Sequence, residues 1–286
     1  MEKETKKLNY NDLEESKELV LRFRNEFLHG NIDELANFSF WTIAGNPSYD
    51  GTCTPNSLGK FDGDKTRIVY AIDRLLYSDL CKNFILGKDI TGDTINTFRT
   101  LLGNRFSFWG NKEIEVEENF NFSSKLKQYR NDFFFTYQTI GNFYLLPCKT
   151  VKRQSINTFR GDNKRPTAWF DYFDLFLNNL KERLPLKEIS NKNDDFQILL
   201  NENRHFFNIE MDFKKFIDIF YLKDYFENSN IVSYNHITNK IAHWWTNELT
   251  EYEYKKFAFG YIAKATELIN KRSIKLVEVL KKNIQN

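Results

Sequence analysis

TEYEYKKFAFGYIAKATELINKRSIKLVEVLKKNIQN, residues 250–286, is the stretch whose pattern decides the fold. Thr250 and Glu253 stand at capping-box spacing, in which a hydroxyl and a carboxylate satisfy amides that the first helical turn leaves open. Phe257, Tyr261, Ala265, Leu268, Leu276 and Leu280 then recur on one face. The spacing predicts one long amphipathic helix that runs to the end of the chain.

Upstream, three more segments carry the helical period. Residues 168–184 place Phe170, Phe173, Leu177, Leu180 and Leu184 on one stripe and stop before Pro185. Residues 194–207 and 212–226 read as two further amphipathic helices. At the other end, Leu13, Val20, Phe23 and Phe27 recur with acidic residues early in the run, which predicts a helix from Asn11 to about His29, closed by Gly30. Residues 66–86 are apolar at helical spacing (Ile68, Ala71, Ile72, Leu75, Leu76, Leu80) and are expected to form one helix.

Between these helices the pattern changes. Residues 37–66 contain Gly45, Pro47, Gly51, Pro55, Gly59 and Gly63 and read as loop. Residues 87–166 mix short aromatic and β-branched runs with Gly and Asn; within them, 118–138 is expected to contain a helix and IGNFYLLP a short strand ended by Pro147. The fold class expected is mainly α, an α+β helical body with a small mixed middle segment and a long C-terminal helix. The division expected is an N-terminal helix and loop-rich arm over 1–66 and a main globular domain over 67–286.

Composition narrows the classes of function. In 286 residues, 41 basic side chains face 39 acidic ones, a net charge of +2, which argues against a surface that is basic throughout and built to attract nucleic acid. With 28 Phe and 41% hydrophobic residues there is material for a large core. The three cysteines are odd in number and widely spaced, which suits neither a disulfide framework nor a zinc knuckle. The first 18 residues are charged, unlike a signal peptide, and no apolar run approaches the roughly 20 residues of a membrane span. A cytoplasmic protein, with no cofactor and no membrane partner, is expected. Phosphate loops, dinucleotide fingerprints, HExxH and GxSxG are all missing from the sequence.

The pentapeptide INTFR occurs twice, at 95–99 and 156–160. One reading is structural: Ile and Phe pack inward while Asn and Thr bond nearby backbone. The other is functional: Asn96 and Arg99 with Asn157 and Arg160, helped by Asp93, face a shared groove. Two guanidinium forks and two amides suit a phosphate, a carboxylate or a nucleobase edge.

Two further stretches point to nuclease chemistry. RNEFLH (24–29) has the R-x4-H form of the HEPN ribonucleases, and the likeness implies a dimer cleft where Arg24 stabilises phosphoryl charge and His29 transfers protons. TIGNFYLLP (139–147) resembles a segment of HNH-type restriction endonucleases, but the histidine element upstream is missing, with Gln138 in its place.

The blocks GDTINTFRTLLG (92–103), TIGNFYLLP (139–147), SINTFRG (155–161), DYFDLFLNNL (171–180) and FKKFIDIFYLKDY (213–225) resemble, in order, an uncharacterised bacterial family with GDTxNxY/F, TIGNFxxLP, NxxRG and DYFDLFL blocks. The resemblance covers roughly residues 85–230 and implies no reaction. The likeness of 139–147 to a restriction-endonuclease segment, together with the AT-rich residue usage, suggests phage–host conflict as a setting. The function expected is that of a non-enzymatic binding protein, a defence or counter-defence component that holds a phosphate-bearing ligand or a protein partner. The alternative is a metal-independent ribonuclease using Arg24 and His29, working as a homodimer.

Overall fold

A computed structural model describes residues 8–46, 48–49, 63–96, 132–133, 135–152, 155–156, 173–186, 194–207, 210–227, 230–231 and 251–285, with backbone alone at 175, 227, 230–231 and 251–261. The helices are α1 (Leu13–Phe27), α2 (Arg67–Leu76), α3 (Ser78–Cys81), α4 (Phe173–Arg183), α5 (Asp195–Glu202), α6 (Phe213–Ile219) and α7 (Glu251–Gln285). Strands β1 (Ile90–Thr94) and β2 (Phe143–Pro147) pair antiparallel, and β3 (Phe226–Glu227) pairs with β4 (Asn230–Ile231). A mainly helical body with a small antiparallel element and a long C-terminal helix is thus the architecture found.

Local chemistry explains the helix starts. Asp12, Asp194 and Asp212 each accept an amide of the first turn, from Glu15, Gln197 and Lys215 respectively, and Thr66 does the same for Val69. Such caps contribute about 1 kcal/mol each. At the end of α1, the Arg24 carbonyl accepts from both Leu28 and Gly30 while His29 and Gly30 turn into positive φ, at 48° and 79°. Leu28 is buried at that turn. RNEFLHG is therefore a helix stop: a buried Leu followed by two left-handed residues.

One expected helix is broken. Residues 66–86 form α2, a turn at Tyr77, the short α3 and a return towards β1, rather than one helix. Every residue of α2 except Arg74 is buried. A continuous helix would carry Tyr77 on past the core. The break instead turns its hydroxyl towards α7, where it accepts a hydrogen bond from Arg272.

β1 is a strand where the sequence suggested only a mixed region. Ile90, Gly92 and Thr94 alternate inward, and the register runs from Ile90 opposite Pro147 to Thr94 opposite Phe143. A Cβ on Gly92 would meet the Asp64 carbonyl oxygen at 1.8 Å, so the chain at 63–65 lies directly on this strand. All five residues of β2 are buried, which places the short sheet inside the molecule rather than at its surface.

Among the described residues one hydrophobic core runs from Leu8 and Phe23 through Phe40, Tyr144 and Phe176 to Leu280. Its aromatic content forms ring contacts: Phe23 lies 5.1 Å from Phe27 and from Phe38, 5.2 Å from Tyr49 and 6.2 Å from Phe40. Burying each such side chain stabilises the fold by about 1.5–3 kcal/mol. Along α7, Ala265, Leu268, Leu276 and Leu280 are buried as their spacing predicts; the side chains of Phe257 and Tyr261 lie outside the described residues. Polar ties secure α7 as well: Asn283 donates to the Leu75 carbonyl at 2.8 Å, and Lys275 and Lys281 pair with Asp224 and Asp33. Arg183 joins α4 to α5 through Asp194 at 2.9 Å and lies over the Phe196 ring.

Candidate functional site

The first INTFR copy leaves β1 at a junction organised by Asn142. The Ile95 amide donates to the Asn142 carbonyl at 2.7 Å, one step beyond the last strand pair. The Asn142 side chain then imitates a further strand residue: Oδ1 accepts from the Asn96 amide at 2.8 Å, and Nδ2 donates to the Asn96 carbonyl at 2.9 Å. Nδ2 also donates to the Tyr137 carbonyl at 2.9 Å. A side-chain amide presents the same donor and acceptor as a peptide group, so the ladder continues without backbone.

Asn96 is wholly buried, and its own Oδ1 accepts from the Tyr225 hydroxyl at 2.8 Å. This corrects the expectation that Asn96 faces a groove: its amide fastens the 225 segment to the sheet. Asp93 differs. It is half-buried on the outward side of β1, and its Oδ1 accepts from the Thr94 amide at 2.9 Å. Ile95 and Ile156 are both buried, so both copies of the pentapeptide begin in the core. Arg99, Asn157 and Arg160 lie outside the described residues.

The residue before Asn142 meets α7. A Cβ on Gly141 would come within 2.1 Å of the Ile269 carbonyl oxygen and 2.3 Å of Ser273 Oγ, so only glycine permits this approach. The Gly141 amide donates to Ser273 Oγ at 3.0 Å. Its carbonyl accepts from Arg272 Nη1 at 2.7 Å, and so does that of Phe143, also at 2.7 Å. Arg272 Nε donates to the Phe220 carbonyl at 2.8 Å and Nη2 to the Tyr77 hydroxyl at 3.0 Å. One buried guanidinium thus joins β2, the end of α6, the break after α2, and α7.

IGN in TIGNFYLLP is accounted for residue by residue. Ile140 is core, Gly141 admits the long helix, and Asn142 extends the sheet. Gln138, at the position where a nuclease histidine is wanted, is buried against Gly63. Among the described residues no cluster of three or more His, Cys, Asp or Glu is placed to hold a metal ion.

Beside the junction, Asp73 of α2 is 1% exposed and its Oδ2 has no hydrogen-bond partner. Burial pushes its carboxyl well above the usual range; the Arg272 guanidinium works against that, and Asp64 adds to it. Burial likewise raises the Cys81 thiol to about 12, helped by Asp73, so Cys81 is held as an unreactive thiol.

Arg24 and His29 stand at the end of α1. The Arg24 guanidinium lies 3.3–3.4 Å from Asn25 Oδ1, and His29 is exposed. Both have a local structural explanation in the helix stop described above.

Residues 110–276 match a family of unknown function, DUF6994. The chain belongs to that family. The DUF6994 match contains Gly141, Asn142, Tyr225, Arg272 and Ser273, which is most of the junction, and the second INTFR copy. It begins beyond the first copy and beyond Arg24 and His29, and it supports neither the HEPN nor the HNH likeness. No curated protein and no solved structure matches the chain.

Sequence reasoning passed over Arg272, Asn142 and Asp73. For Arg272 a signal was there: it follows Leu268 and Ile269 by four and three residues and so puts a cation on the apolar face of α7. Asp73 sits in the same way on the apolar face of α2. Asn142 carried no such signal, because its partner is 46 residues away.

Proposed function

We propose that this DUF6994 protein is a binding protein for a phosphate-bearing ligand, taken up by the arginines of the two INTFR copies. What carries the reading is the anchoring of the first copy. Ile95 and Asn96 are held by the Asn142 and Tyr225 bonds, so the residues that precede Arg99 in the sequence are fixed. Ile156 gives the second copy a buried start of the same kind. The planar fork of an arginine meets a phosphate with two hydrogen bonds at once. Asp93, half-buried just before the anchor, supplies an acceptor for hydroxyl or amino groups of the same ligand. A nucleotide combines these two chemistries.

The test is calorimetric titration of the full chain with nucleoside mono-, di- and triphosphates and short single-stranded RNA. Arg99→Ala and Arg160→Ala are each expected to abolish binding of whichever ligand the parent takes, with the melting temperature unchanged. Variants that bind as well as the parent assign the repeat to structure alone.

A further inference from the structure

Asp73 lies in the core with Oδ2 lacking a hydrogen-bond partner, and it stands at the last turn of α2. The Tyr77 amide closes that turn on the Asp73 carbonyl at 2.8 Å, and the Tyr77 hydroxyl accepts from Arg272 Nη2. The titratable and charged groups whose fields meet Asp73 come from several elements. They are Asp64 from the turn ahead of α2, Tyr70 of α2, Tyr77 at the break, Cys81 of α3 and Arg272 of α7. Arg272 is the cation among them, and its nitrogens are committed to the Phe220, Gly141 and Phe143 carbonyls and the Tyr77 hydroxyl. A buried carboxyl without hydrogen bonds is at rest when neutral; its anion is costly there.

What that anion would disturb follows from the bonds of Arg272. Nη1 holds the carbonyls of Gly141 and Phe143. The residue between them, Asn142, holds Ile95 and Asn96 through its carbonyl and its side-chain amide. The Gly141 amide is fixed to Ser273, the neighbour of Arg272 in α7. Any shift of the guanidinium therefore acts on the three residues that clasp the first INTFR copy.

We propose that Asp73 and Arg272 form a proton-operated latch on the first INTFR copy. With Asp73 neutral, Arg272 holds 141–143 and Asn142 holds Ile95 and Asn96. When the Asp73 proton leaves to solvent, the carboxylate competes with the carbonyls for the guanidinium, and the clasp loosens. Burial keeps the carboxyl of the closed form well above the ordinary range, with Arg272 working against it and Asp64 adding to it. Opening returns it towards about pH 4. The hold is therefore complete below that pH and is lost as pH rises towards the raised pKa. The latch rests on the phosphate-binding reading only for what the INTFR copy holds, and its opening is measured without ligand.

Residue-resolved hydrogen exchange of the full chain, from about pH 5 to about pH 9, tests the proposal. Corrected for the ordinary hydroxide dependence, exchange at Ile95 and Asn96 is expected to quicken about tenfold per pH unit up to the folded pKa of Asp73. The NMR shift of the Asp73 carboxyl carbon gives that pKa in the parent, with no variant needed. Asp73→Asn is expected to abolish the slope. Leu199 and Leu200 of α5 are the reference for global unfolding, and are expected to exchange more slowly than Ile95 and Asn96 at each pH. Equal rates in the two pairs mean that only global unfolding frees Asp73, and overturn the latch. A flat profile in the parent, or a slope kept in Asp73→Asn, overturns it as well. Arg99→Ala and Arg160→Ala leave the profile unchanged, so the latch and the ligand reading fail or stand separately.

Discussion

At the junction of β2 with α7, Arg272 is wholly buried and donates to three backbone carbonyls and the Tyr77 hydroxyl. At the start of α2, Arg67 is buried almost as deeply, yet its Nε has no partner and its charged neighbour is another arginine. Both residues tie distant segments through carbonyl oxygens. The difference lies in what remains after those bonds. Every guanidinium nitrogen of Arg272 has an acceptor, whereas Nε of Arg67 has none. A buried guanidinium whose nitrogens are all bonded is a rivet; one with a nitrogen left unbonded ties its segments while keeping part of its desolvation cost. The match to DUF6994 takes in the first and not the second.

The comparison breaks most readily at the rivet. Arg272→Met strands the buried carbonyls of Gly141, Phe143 and Phe220, and is expected to destabilise the protein by about 3–5 kcal/mol in urea unfolding. A loss under 1 kcal/mol would mean that water or a neighbour replaces the guanidinium, and the distinction between the two arginines collapses. Asn142→Ala removes the side-chain rung of the ladder and is expected to cost about 2–3 kcal/mol by the same measurement. Hydrogen exchange at the amides of Ile95 and Asn96 is expected to quicken with it, which locates the effect.

Asp73 sharpens the comparison through pH. In the folded protein its carboxyl stands well above the ordinary range, so the folded state keeps a proton that the unfolded chain releases near pH 4. The stability this group contributes is complete below that pH and is lost as pH rises towards the raised pKa. Asp73→Asn abolishes that slope, and is expected to exceed the parent in urea midpoint at neutral pH and to match it at pH 3–4. A less stable variant at neutral pH would show Asp73 ionised against Arg272, making the pair an ordinary buried salt bridge.

The smallest effect belongs to the end of α1. His29 holds φ at 48°, a conformation that costs most L residues about 1 kcal/mol. His29→Gly is expected to leave stability unchanged or raise it by up to about 1 kcal/mol, read from the thermal midpoint. If His29 serves only the helix stop, this variant binds phosphate as the parent does.

Much of the fold was legible because its causes are local. Asp12, Asp194 and Asp212 precede helices and cap them; Pro147 ends β2 and Pro185 follows α4. The apolar spacing of 268, 276 and 280 gave the buried face of α7. The break after Leu76 was hidden because apolar period continues through Leu80, and the reason for the turn, Arg272, lies 195 residues from Tyr77. The candidate site was legible only in part. INTFR pointed to Asn96 by chemistry that an amide can use in either direction, outward to a ligand or inward to a hydroxyl, and Tyr225 took it inward.

By itself the sequence determined the helical class, the placing of the long C-terminal helix and where helices start, since caps and period act within a few residues. The helices expected over 194–207 and 212–226 end earlier, at Glu202 and Ile219. Tertiary structure alone decided which polar groups are fastened and which are left open. That choice depends on what the rest of the chain brings within hydrogen-bond reach: for Arg272, three carbonyls and a phenol; for Arg67, two carbonyls that leave Nε unbonded.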